Sequence, residues 1–455
     1  MTSPNPTEHL AKLDHENLWH PFTPMQVWLQ EQPLIIEKGE GCELIDTRGN
    51  RYIDGVSSLW VNIHGHAHPT IDEAVRSQLD QLAHSTFLGL THPKAIELAS
   101  KLVEIAPGDL TRVFFSENGA AATEVALKMA YSYWRNLGQS RDRFVRLENA
   151  YHGDTIGAVS IGGIDRFHQT FKPLLFATES IPSPYCYRCS LEETYPSCDL
   201  ACANILDSVL QQHGDTVAAV VVEPLVQGAA GIITAPDGHL RRIARIAAAH
   251  GVLLIVDEVA TGFGRTGRMF ACEHEDVQPD IMCIAKGITA GYLPLSATLS
   301  SEKVFEAFLA APEEHKTLYH GHSYAANPLC CAAALANLQV FDEEQTLEKL
   351  RPKIEQLRNL LAPLGEHRNV GEIRQRGLMV GIELVRDRAT KEPFPETCQL
   401  GAKVIHATRP RGVIVRNLGD VIVLMPPLTI DEQQLTRLVG AVASSIDEVL
   451  ETVRD

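Results

Sequence analysis

Lys286 and Asp257 are the residues whose types and positions point most directly to chemistry. Each follows a short apolar run, 281–285 and 252–256 respectively, and such runs predict buried parallel strands. Because neighbouring parallel strands open their carboxyl ends onto one crevice, the amine and the acid could face each other across a ligand. Pyridoxal phosphate chemistry needs this pair, since the lysine forms the Schiff base and the acid keeps the pyridine nitrogen protonated. The spacing alone favours an ordinary salt bridge or two solvated strand ends, so other motifs must decide.

Further segments that follow predicted strands contain residues suited to a planar, anionic ligand. Gly119 opens a helix whose free amides and positive dipole end suit a phosphate. Tyr151 could stack on a ring, and Ser323 is a candidate second phosphate donor. Glu223 would add a second carboxylate to the same crevice. Two carboxylates close together are costly unless a cation or hydrogen-bond donors lie nearby. Taken singly, each of these segments is more simply an ordinary turn or a capped helix start.

Alternating helical and strand-like segments predict an α/β fold for residues 66–332. The pattern indicates a large domain with a mostly parallel sheet and helices on both faces. The predicted helices are 70–83, 93–105, 121–136 and 240–250. The predicted strands are 112–115, 143–147, 218–222, 252–256 and 281–285.

The pattern changes in residues 333–455, which are predicted to form a smaller α+β domain. One long helix, 334–361, is expected to open this domain. It is followed by predicted strands and helices at 378–384, 399–408, 413–416, 421–425 and 431–453. Residues 1–65 contain short strand-like runs and are expected to contribute to the small domain and to the entrance of the active site.

The composition is that of a globular protein with an acidic balance. The chain has 455 residues, 45% hydrophobic and 21% charged, with a formal net charge of −17. This charge disfavours nucleic acid and anionic membranes as partners. The N-terminus does not resemble a secretory signal, and no apolar run reaches the roughly 18 to 20 residues that span a bilayer. We therefore expect a cytoplasmic protein.

Four of the ten cysteines are grouped in one Pro-rich loop: Cys186, Cys189, Cys198 and Cys202. Two close pairs across a loop could hold zinc or an iron–sulfur centre. The second spacing is wider than a zinc knuckle usually shows, so the sequence favours free thiols in a surface loop. The other six cysteines are scattered, as expected for buried thiols in a reducing compartment.

Together the motifs resemble those of the class III pyridoxal-phosphate aminotransferases. The similarity runs through residues 151–154, 223–228, 263–286 and 321–328, in the order of that family, and it extends over nearly the whole chain. It implies fold type I, pyridoxal 5'-phosphate as the cofactor, and a homodimer whose active sites lie at the subunit interface. The implied partners are a small-molecule amino donor and a keto-acid acceptor.

The resemblance also implies a role for individual residues of this sequence. The implied catalytic residues are Lys286, Asp257 and Tyr151. The implied cofactor-binding residues are Gly119, Ala120, Tyr151, Asp257, Lys286, His322 and Ser323, the last from the partner subunit. The implied substrate-binding residues are Phe22, Leu59, Trp60, Tyr151, Gly321 and Arg416, of which Arg416 would bind a terminal carboxylate.

Within this family the chain is most similar to a branch that acts in biotin biosynthesis. That branch transaminates 8-amino-7-oxononanoate by a ping-pong mechanism. Members that take the amino group from S-adenosylmethionine usually have Tyr and Trp where this chain has Phe22 and Leu59, and Ser where it has Ala120. Loss of the hydroxyl and the indole removes polar and cation–π partners for a sulfonium. The donor therefore stays open between S-adenosylmethionine and lysine.

Two other interpretations of the resemblance also stay open. The chain could be another class III transaminase, acting on 4-aminobutyrate, acetylornithine or a related ω-amino acid. It could instead be a cofactor-binding relative without catalysis, although the presence of Lys286, Asp257 and Arg416 speaks against this.

Overall fold

The structure is a computed structural model that describes residues 6–453. Residues 1–5 and 454–455, the outer ends of the predicted N-terminal segment and C-terminal domain, lie outside the described part of the chain. The strands are β1 (Ile36–Glu40), β2 (Glu43–Asp46), β3 (Arg51–Asp54), β4 (Leu110–Ser116), β5 (Arg143–Leu147), β6 (Glu179–Ile181), β7 (Val217–Val222), β8 (Val226–Gln227), β9 (Ile233–Thr234), β10 (Leu253–Asp257), β11 (Ile281–Ile284), β12 (Ser296–Ser301), β13 (Val370–Arg376), β14 (Met379–Leu384), β15 (Val413–Ile414), β16 (Arg416–Leu418) and β17 (Val421–Leu424).

Helices surround these strands throughout the described chain. They are α1 (Pro6–Asn17), α2 (Met25–Trp28), α3 (Ser57–Trp60), α4 (Pro69–Leu79), α5 (Pro93–Ile105), α6 (Gly119–Asn136), α7 (Ile156–Ser160), α8 (Asp165–His168), α9 (Ala201–His213), α10 (His239–Ala249), α11 (Glu302–Glu306), α12 (Pro328–Glu343), α13 (Thr346–Gly365), α14 (Leu400–Thr408) and α15 (Glu432–Val453). The predicted helix at 93–105 and the predicted strand at 143–147 have these bounds in the structure.

A seven-stranded sheet in the order β4-β12-β11-β10-β7-β5-β6 forms the centre of the molecule. The pairs β11–β10, β10–β7, β7–β5 and β5–β6 are parallel, whereas β12 runs antiparallel to both of its neighbours. The prediction of a mostly parallel α/β sheet is therefore confirmed. Because β12 runs opposite to the rest, β4 has the same direction as β11, and the two open their carboxyl ends on one side.

The aliphatic runs of the sequence become the central strands because both faces of the sheet are covered. Every residue of β7 and β10 is buried. Along β7, Val220 and Val222 pack into one apolar cluster, while Ala219 and Val221 pack into the other. Continuous apolar strands, rather than alternating ones, are what a doubly covered parallel sheet requires.

A separate antiparallel sheet, called here the C-terminal sheet, has the order β13-β14-β17-β16. A third sheet, β1-β2-β3-β15, joins the N-terminal strands to the C-terminal part of the chain through the parallel pair β3–β15. The first 65 residues therefore do not form a unit of their own, since their strands are completed by Val413 and Ile414.

Two predicted elements are wrong in their continuity. The single helix expected at 334–361 is two helices, α12 and α13, because Gln345 has a left-handed backbone with φ of +51°. No glycine or proline marks this break, so the helical pattern of the sequence continues through it and predicts a single helix. The strand expected at 413–416 is interrupted at Val415. Its first half pairs with β3, while its second half joins the C-terminal sheet.

Within residues 6–453, no helix is both long and apolar enough to cross a membrane.

Candidate active site

One cavity of about 700 Å³ opens at the carboxyl ends of five strands of the central sheet. Its walls come from the segments that directly follow β4, β5, β7, β10 and β11. They include Glu117, Asn118, Gly119, Ala120, Tyr151, His152, Gly153, Asp154, Thr155, Glu223, Asp257 and Lys286, with Trp60 and Ala229 from more distant segments. The residues that the sequence places at strand ends thus surround one space.

Lys286 lies directly after β11 and has a left-handed backbone, with φ of +48°. Its Nζ atom is 4.9 Å from the ring centroid of Trp60. Burial lowers the pKa of the lysine amine, and the charges of Asp257 and Glu223 oppose this shift only in part. A lysine with a lowered pKa is more often neutral, which is the form that acts as a nucleophile.

Asp257, at the end of β10, is held in a fixed orientation by two donors. Nδ1 of His152 lies 2.6 Å from its Oδ2 atom, and the amide of Val259 donates to its Oδ1 atom at 3.0 Å. Burial alone would lower the pKa of His152, but the hydrogen bond and the charge of Asp257 raise it. The pair therefore favours a protonated imidazole facing a carboxylate at the base of the cavity.

Tyr151 follows β5 and is anchored at both of its ends. Its hydroxyl donates to Oδ2 of Asp154 at 2.7 Å, and its amide donates to Oε1 of Glu223 at 3.0 Å. Burial raises the pKa of the phenol, and Asp154 raises it further. The ring meets Phe167 edge-on at 6.3 Å between centroids, and Phe167 in turn contacts Phe22 at 5.3 Å. Aromatic contacts thus connect Phe22 to the cavity wall.

Glu223 is a buried carboxylate to which the sequence assigned no role beyond its place at a strand end. It accepts from the amide of Gly228 at 2.9 Å as well as from Tyr151. Burial raises its pKa to about 7, against the opposing charge of His152. It therefore ties together two segments of the cavity wall. Its position after β7 was a usable signal, as was that of His152 directly after Tyr151.

The start of α6 forms part of the cavity wall. Asn118 caps this helix, because its side chain accepts from the amide of Ala121 at 3.0 Å. Gly119 and Ala120 stand in the first turn, where amides have no intrahelical acceptor. A Cβ atom added to Gly153 would lie 2.4 Å from the Cβ atom of Ala120, so the glycine is required for this close approach. Such a helix start suits a phosphate.

Arg265 supports the segment that carries Trp60, a role that the sequence did not indicate. The guanidinium is 1% exposed and donates to Oγ of Ser57 at 3.1 Å, to the carbonyl of Asn62 at 2.7 Å and to that of Pro426 at 2.8 Å. Burial lowers its pKa to about 9. It thus holds both ends of the turn 57–62 by hydrogen bonds, and Trp60 of this turn lines the cavity.

Outside the immediate wall of the cavity lie four predicted substrate-binding residues: Arg416, Phe22, Leu59 and Gly321. Arg416 is half-buried on β16, where burial lowers its pKa and the phenol of Tyr151 opposes this shift. It is therefore within electrostatic reach of the cavity wall. Phe22 and Leu59 are 56% and 49% exposed. The structure does not place either of them in the wall of this single chain.

The predicted residues Gly321, His322 and Ser323 lie in an exposed connection before α12. Gly321 and Ser323 are exposed, and none of the three is part of the cavity wall. The ring of His322 contacts the carboxylate of Glu117, which does line the cavity. The segment therefore runs past the rim of the site without entering it.

The four grouped cysteines carry free thiols, as do the other six. Cys186 is exposed, and burial raises the pKa of Cys202 to about 11. Within residues 6–453, no group of three or more His, Cys, Asp or Glu side chains is arranged to hold a metal ion. The alternative of a zinc or iron–sulfur centre therefore has no support in this geometry.

Comparison with known protein families gives one consistent match. The family described as class III aminotransferase matches residues 25–446. A relative from Nitratidesulfovibrio vulgaris, named adenosylmethionine-8-amino-7-oxononanoate aminotransferase, is 53% identical over 98% of this chain and 83% of its own length. A relative of the same name from Geobacter sulfurreducens is 48% identical over 97% of this chain and 98% of its own length.

Solved structures give the same picture and add a second activity. A crystal structure of the enzyme of that name from Methanocaldococcus jannaschii superposes with a TM-score of 0.93 at 44% identity, covering 97% of this chain and 99% of the other. An (S)-enantioselective omega-transaminase from Thermomicrobium roseum has a TM-score of 0.93 at 39% identity and the same coverage.

Proposed function

Because the chain belongs to the class III aminotransferases, which depend on pyridoxal 5'-phosphate, we propose that it transfers an amino group to 8-amino-7-oxononanoate. The product, 7,8-diaminononanoate, would serve biotin synthesis. Relatives that carry this activity in their names are 35–53% identical over 95–98% of the chain, which supports this choice of substrate.

One observation carries the proposal: Lys286 and Asp257 line the same cavity as a helix start suited to phosphate. In the proposal, Lys286 bonds the aldehyde of the cofactor, Asp257 faces its ring nitrogen, and the helix start binds its phosphate. When bound, pyridoxal phosphate supplies an electron sink for charge that develops on the substrate carbon. A cavity of about 700 Å³ is large enough for such a ligand together with a substrate.

Lys286 is proposed as the residue that holds the cofactor and moves the proton. Its Nζ atom would bond the cofactor until an incoming amine releases it. The freed amine would then carry the proton that must move during transamination. Its lowered pKa keeps part of the population neutral, as both roles require.

Asp257 is proposed to keep a proton on the ring nitrogen of the cofactor, and His152 to hold Asp257 in place. The 2.6 Å contact between these two side chains fixes which oxygen of the carboxylate faces the cavity. Tyr151 would pack on the cofactor ring, with Asp154 orienting its hydroxyl. The amides of Gly119 and Ala120 would bind the phosphate.

Arg416 is proposed to bind the terminal carboxylate of the keto substrate. A guanidinium binds a carboxylate through two parallel hydrogen bonds, so it selects for this group and sets its direction. Trp60, in the cavity wall, would contact the methylene chain. Phe22, Leu59 and Gly321 would act at the entrance.

A homodimer is part of the proposal, since single-chain features call for a second copy. Several large apolar side chains are exposed: Trp19, Leu88, Tyr319 and Tyr324. Two of them flank the segment 321–323, which would reach the cavity of the other subunit and supply Ser323 and His322 to the phosphate.

We also propose the division into a large domain, 66–332, and a small domain, 333–455. The central sheet lies wholly within the first range and the C-terminal sheet wholly within the second, which supports this division. The proposed location is the cytoplasm, which the ten free cysteines support because thiols stay reduced there.

The donor and the competing activities are tested by half-reactions. The pyridoxal form is mixed separately with S-adenosylmethionine, lysine, 4-aminobutyrate, acetylornithine or a simple amine, and conversion to the pyridoxamine form is followed by absorbance. We propose S-adenosylmethionine, the donor in the relatives' names. Adding 8-amino-7-oxononanoate should then restore the pyridoxal form, and failure of this second step would overturn the proposed function.

Transamination of simple amines is a second candidate, favoured by the similarity to the omega-transaminase from Thermomicrobium roseum. Conversion by the simple amine, without conversion by either S-adenosylmethionine or lysine, would establish it instead. A protein that binds the cofactor and responds to none of the amines would be a non-catalytic relative.

A further inference from the structure

Arg374, on β13 of the C-terminal sheet, is a buried arginine outside the cavity wall. It is 4% exposed. One side of its guanidinium meets acidic partners of its own sheet, with Nη1 donating to Oε2 of Glu372 at 2.7 Å and also contacting Glu383. Nη1 also donates to the hydroxyl of Tyr185 at 3.0 Å. The charges of the arginine and its carboxylates are thus paired in a site with little access to water.

The other side of the same guanidinium holds a turn of the large central part of the chain. Nη2 donates to the carbonyl of Gly231 at 2.8 Å, and Nε donates to that of Ile232 at 3.1 Å. Gly231 has φ of +105°, so its carbonyl direction is that of a tight turn between β8 and β9. Arg374 therefore fixes the backbone of this turn by hydrogen bonds to two carbonyl groups of the turn.

This turn is a wall of the active-site cavity. Ala229 lines the cavity, and the amide of Gly228 donates to Glu223 at 2.9 Å. A Cβ atom added to Gly228 would lie 3.2 Å from the ring of Trp60, so turn and indole are in close contact. A displacement of the turn would therefore move Ala229 and press on the indole of Trp60, both of which line the cavity.

The C-terminal sheet also carries the proposed carboxylate-binding residue. Glu383 on β14 pairs with Val421 on β17, and Arg416 on β16 pairs with Val423 on the same strand. Arg374 thus joins the sheet that holds Arg416 to the turn that forms the cavity wall.

The loop that holds the grouped cysteines adds a third attachment to the same point. The hydroxyl of Tyr185 donates to Glu383, and Nε of Arg188 donates to the other oxygen of that carboxylate at 2.6 Å. Lys391 donates to the carbonyl of Tyr187 at 2.6 Å. Three segments distant in sequence therefore meet at Arg374 and Glu383.

We propose that Arg374 is a positioning residue for the acceptor carboxylate: it sets the position of the turn 228–232, whose Ala229 lines the cavity, relative to Arg416. The proposal rests on the proposed function, in which Arg416 binds that carboxylate. Burying several charges is costly, and an apolar side chain would fill the same space without that cost. What an apolar side chain lacks is the planar fork that holds two carbonyl groups and a carboxylate in one geometry.

The first test is Arg374→Lys in the full-length holoenzyme. Lysine keeps the charge but cannot hold both carbonyl groups and the carboxylate together. We expect the KM for the keto-acid acceptor to rise about tenfold. The kcat, and the rate at which excess donor converts the cofactor to its pyridoxamine form, should change less than about twofold. Equal losses in every parameter, or no change in KM, would overturn the proposal.

The matched control is Arg376→Lys, two residues along the same strand. Arg376 forms an ion pair with Asp237 at 3.0 Å, also between the C-terminal sheet and the central part of the chain, but Asp237 is 84% exposed. Neither residue lines the active-site cavity. The KM for the acceptor should stay within about twofold of the wild-type value, because exposed ion pairs contribute little.

A double-mutant cycle with Arg416→Ala separates positioning from general destabilisation. If Arg374 acts through Arg416, Arg374→Lys should add less than about twofold to the KM once Arg416 is absent. A full tenfold rise in the Arg416→Ala background would show that Arg374 acts independently, and would overturn the proposal.

Tyr185→Phe, which removes one hydroxyl, is the milder variant if Arg374→Lys does not fold. It should raise the KM about threefold by the same route, and an unchanged KM would count against the proposal.

The outcomes for the two proposals remain distinct. If the wild-type enzyme does not use 8-amino-7-oxononanoate, the proposed function fails, and the cycle is repeated with whichever carboxylate acceptor supports turnover. If the wild-type enzyme uses that substrate and the cycle is additive, only the positioning role fails.

Discussion

The base of the cavity and its entrance are built in different ways. At the base, Lys286, Asp257 and Glu223 each stand at or just after the end of a strand of one sheet, and neighbouring strands bring them together. The residues proposed for the entrance, Phe22, Leu59 and Gly321, come from irregular, exposed segments of a single chain. The groups proposed to react therefore depend on sheet topology, whereas the groups proposed to choose the substrate depend on longer-range packing and, in the proposed homodimer, on a second subunit.

The largest effect should come from the base of the cavity, at Lys286→Ala. Without the amine, neither covalent attachment of the cofactor nor proton transfer has its group, so turnover should fall by at least about 10⁴-fold. Steady-state assays and the cofactor absorbance spectrum measure the two losses. The control, Lys303→Ala, removes an exposed lysine paired with Asp280 and should leave turnover unchanged. Substantial transamination by the Lys286 variant would remove the basis for the comparison.

A second effect tests whether the base is as dry as its geometry indicates. Glu223 has a pKa of about 7 in the folded protein against an ordinary value of 4.5, so the folded state holds a proton that the unfolded chain has lost. The stabilisation is fully present below about pH 4.5 and is lost as the pH rises through about 7. Glu223→Gln should lack this loss, and its free energy of unfolding relative to wild type should rise by about 3 kcal/mol across that window.

Urea unfolding of the apoprotein at pH 4.5 and pH 8 provides the measurement. Glu258, whose pKa burial also raises to about 7, titrates in both proteins and cancels in the difference. Glu97→Gln, at an exposed position, is the control and should track the wild type at both pH values. A pH-independent difference for Glu223→Gln would mean that the carboxylate is hydrated.

A third effect lies between the two regions, at Arg416→Ala. Loss of a charged, bidentate hydrogen bond costs about 2 kcal/mol, so the KM for the keto acid should rise about 30-fold while Lys286 chemistry stays intact. Kinetics with the keto acid varied at saturating donor provide the measurement. Arg411→Ala, which breaks an exposed pair with Glu448, serves as the control. An unchanged KM would place the carboxylate elsewhere.

The smallest effect is expected at the entrance, at Phe22→Tyr. An added hydroxyl at a half-exposed ring would favour a sulfonium donor by only a few tenths of a kcal/mol to about 1 kcal/mol, or up to about fivefold. Comparison of kcat/KM for S-adenosylmethionine and for lysine gives the change in preference. Phe171→Tyr, on another exposed ring, is the control. A change of a hundredfold or more would make the entrance as decisive as the base.

The base could be predicted from sequence because buried parallel strands are continuous aliphatic runs, and polar residues directly after them must share an edge of the sheet. Lys286 and Asp257 are of this kind. Strand β12 could not be predicted from sequence, because its Ser- and Thr-rich sequence is typical of a loop although all of its residues are buried. Sequence periodicity also gave no sign of the left-handed residue Gln345, which separates α12 from α13.

The supporting contacts were equally hidden from local sequence patterns. Arg265 and Arg374 act through carbonyl groups that are far away along the chain, and no short motif encodes such partners. Which face of the molecule a second copy would cover in the proposed homodimer is likewise a property of the assembled surface. The sequence therefore identifies the residues proposed to react better than those that hold them in place.

The left-handed backbone at Lys286 has a consequence for engineering. A side chain in this conformation carries about 1 kcal/mol of strain that glycine would not. Glycine at this position would relieve that strain and remove the amine that the proposed chemistry requires. Selection of variants for thermal stability alone would therefore favour the loss of Lys286, so it must be combined with an activity assay.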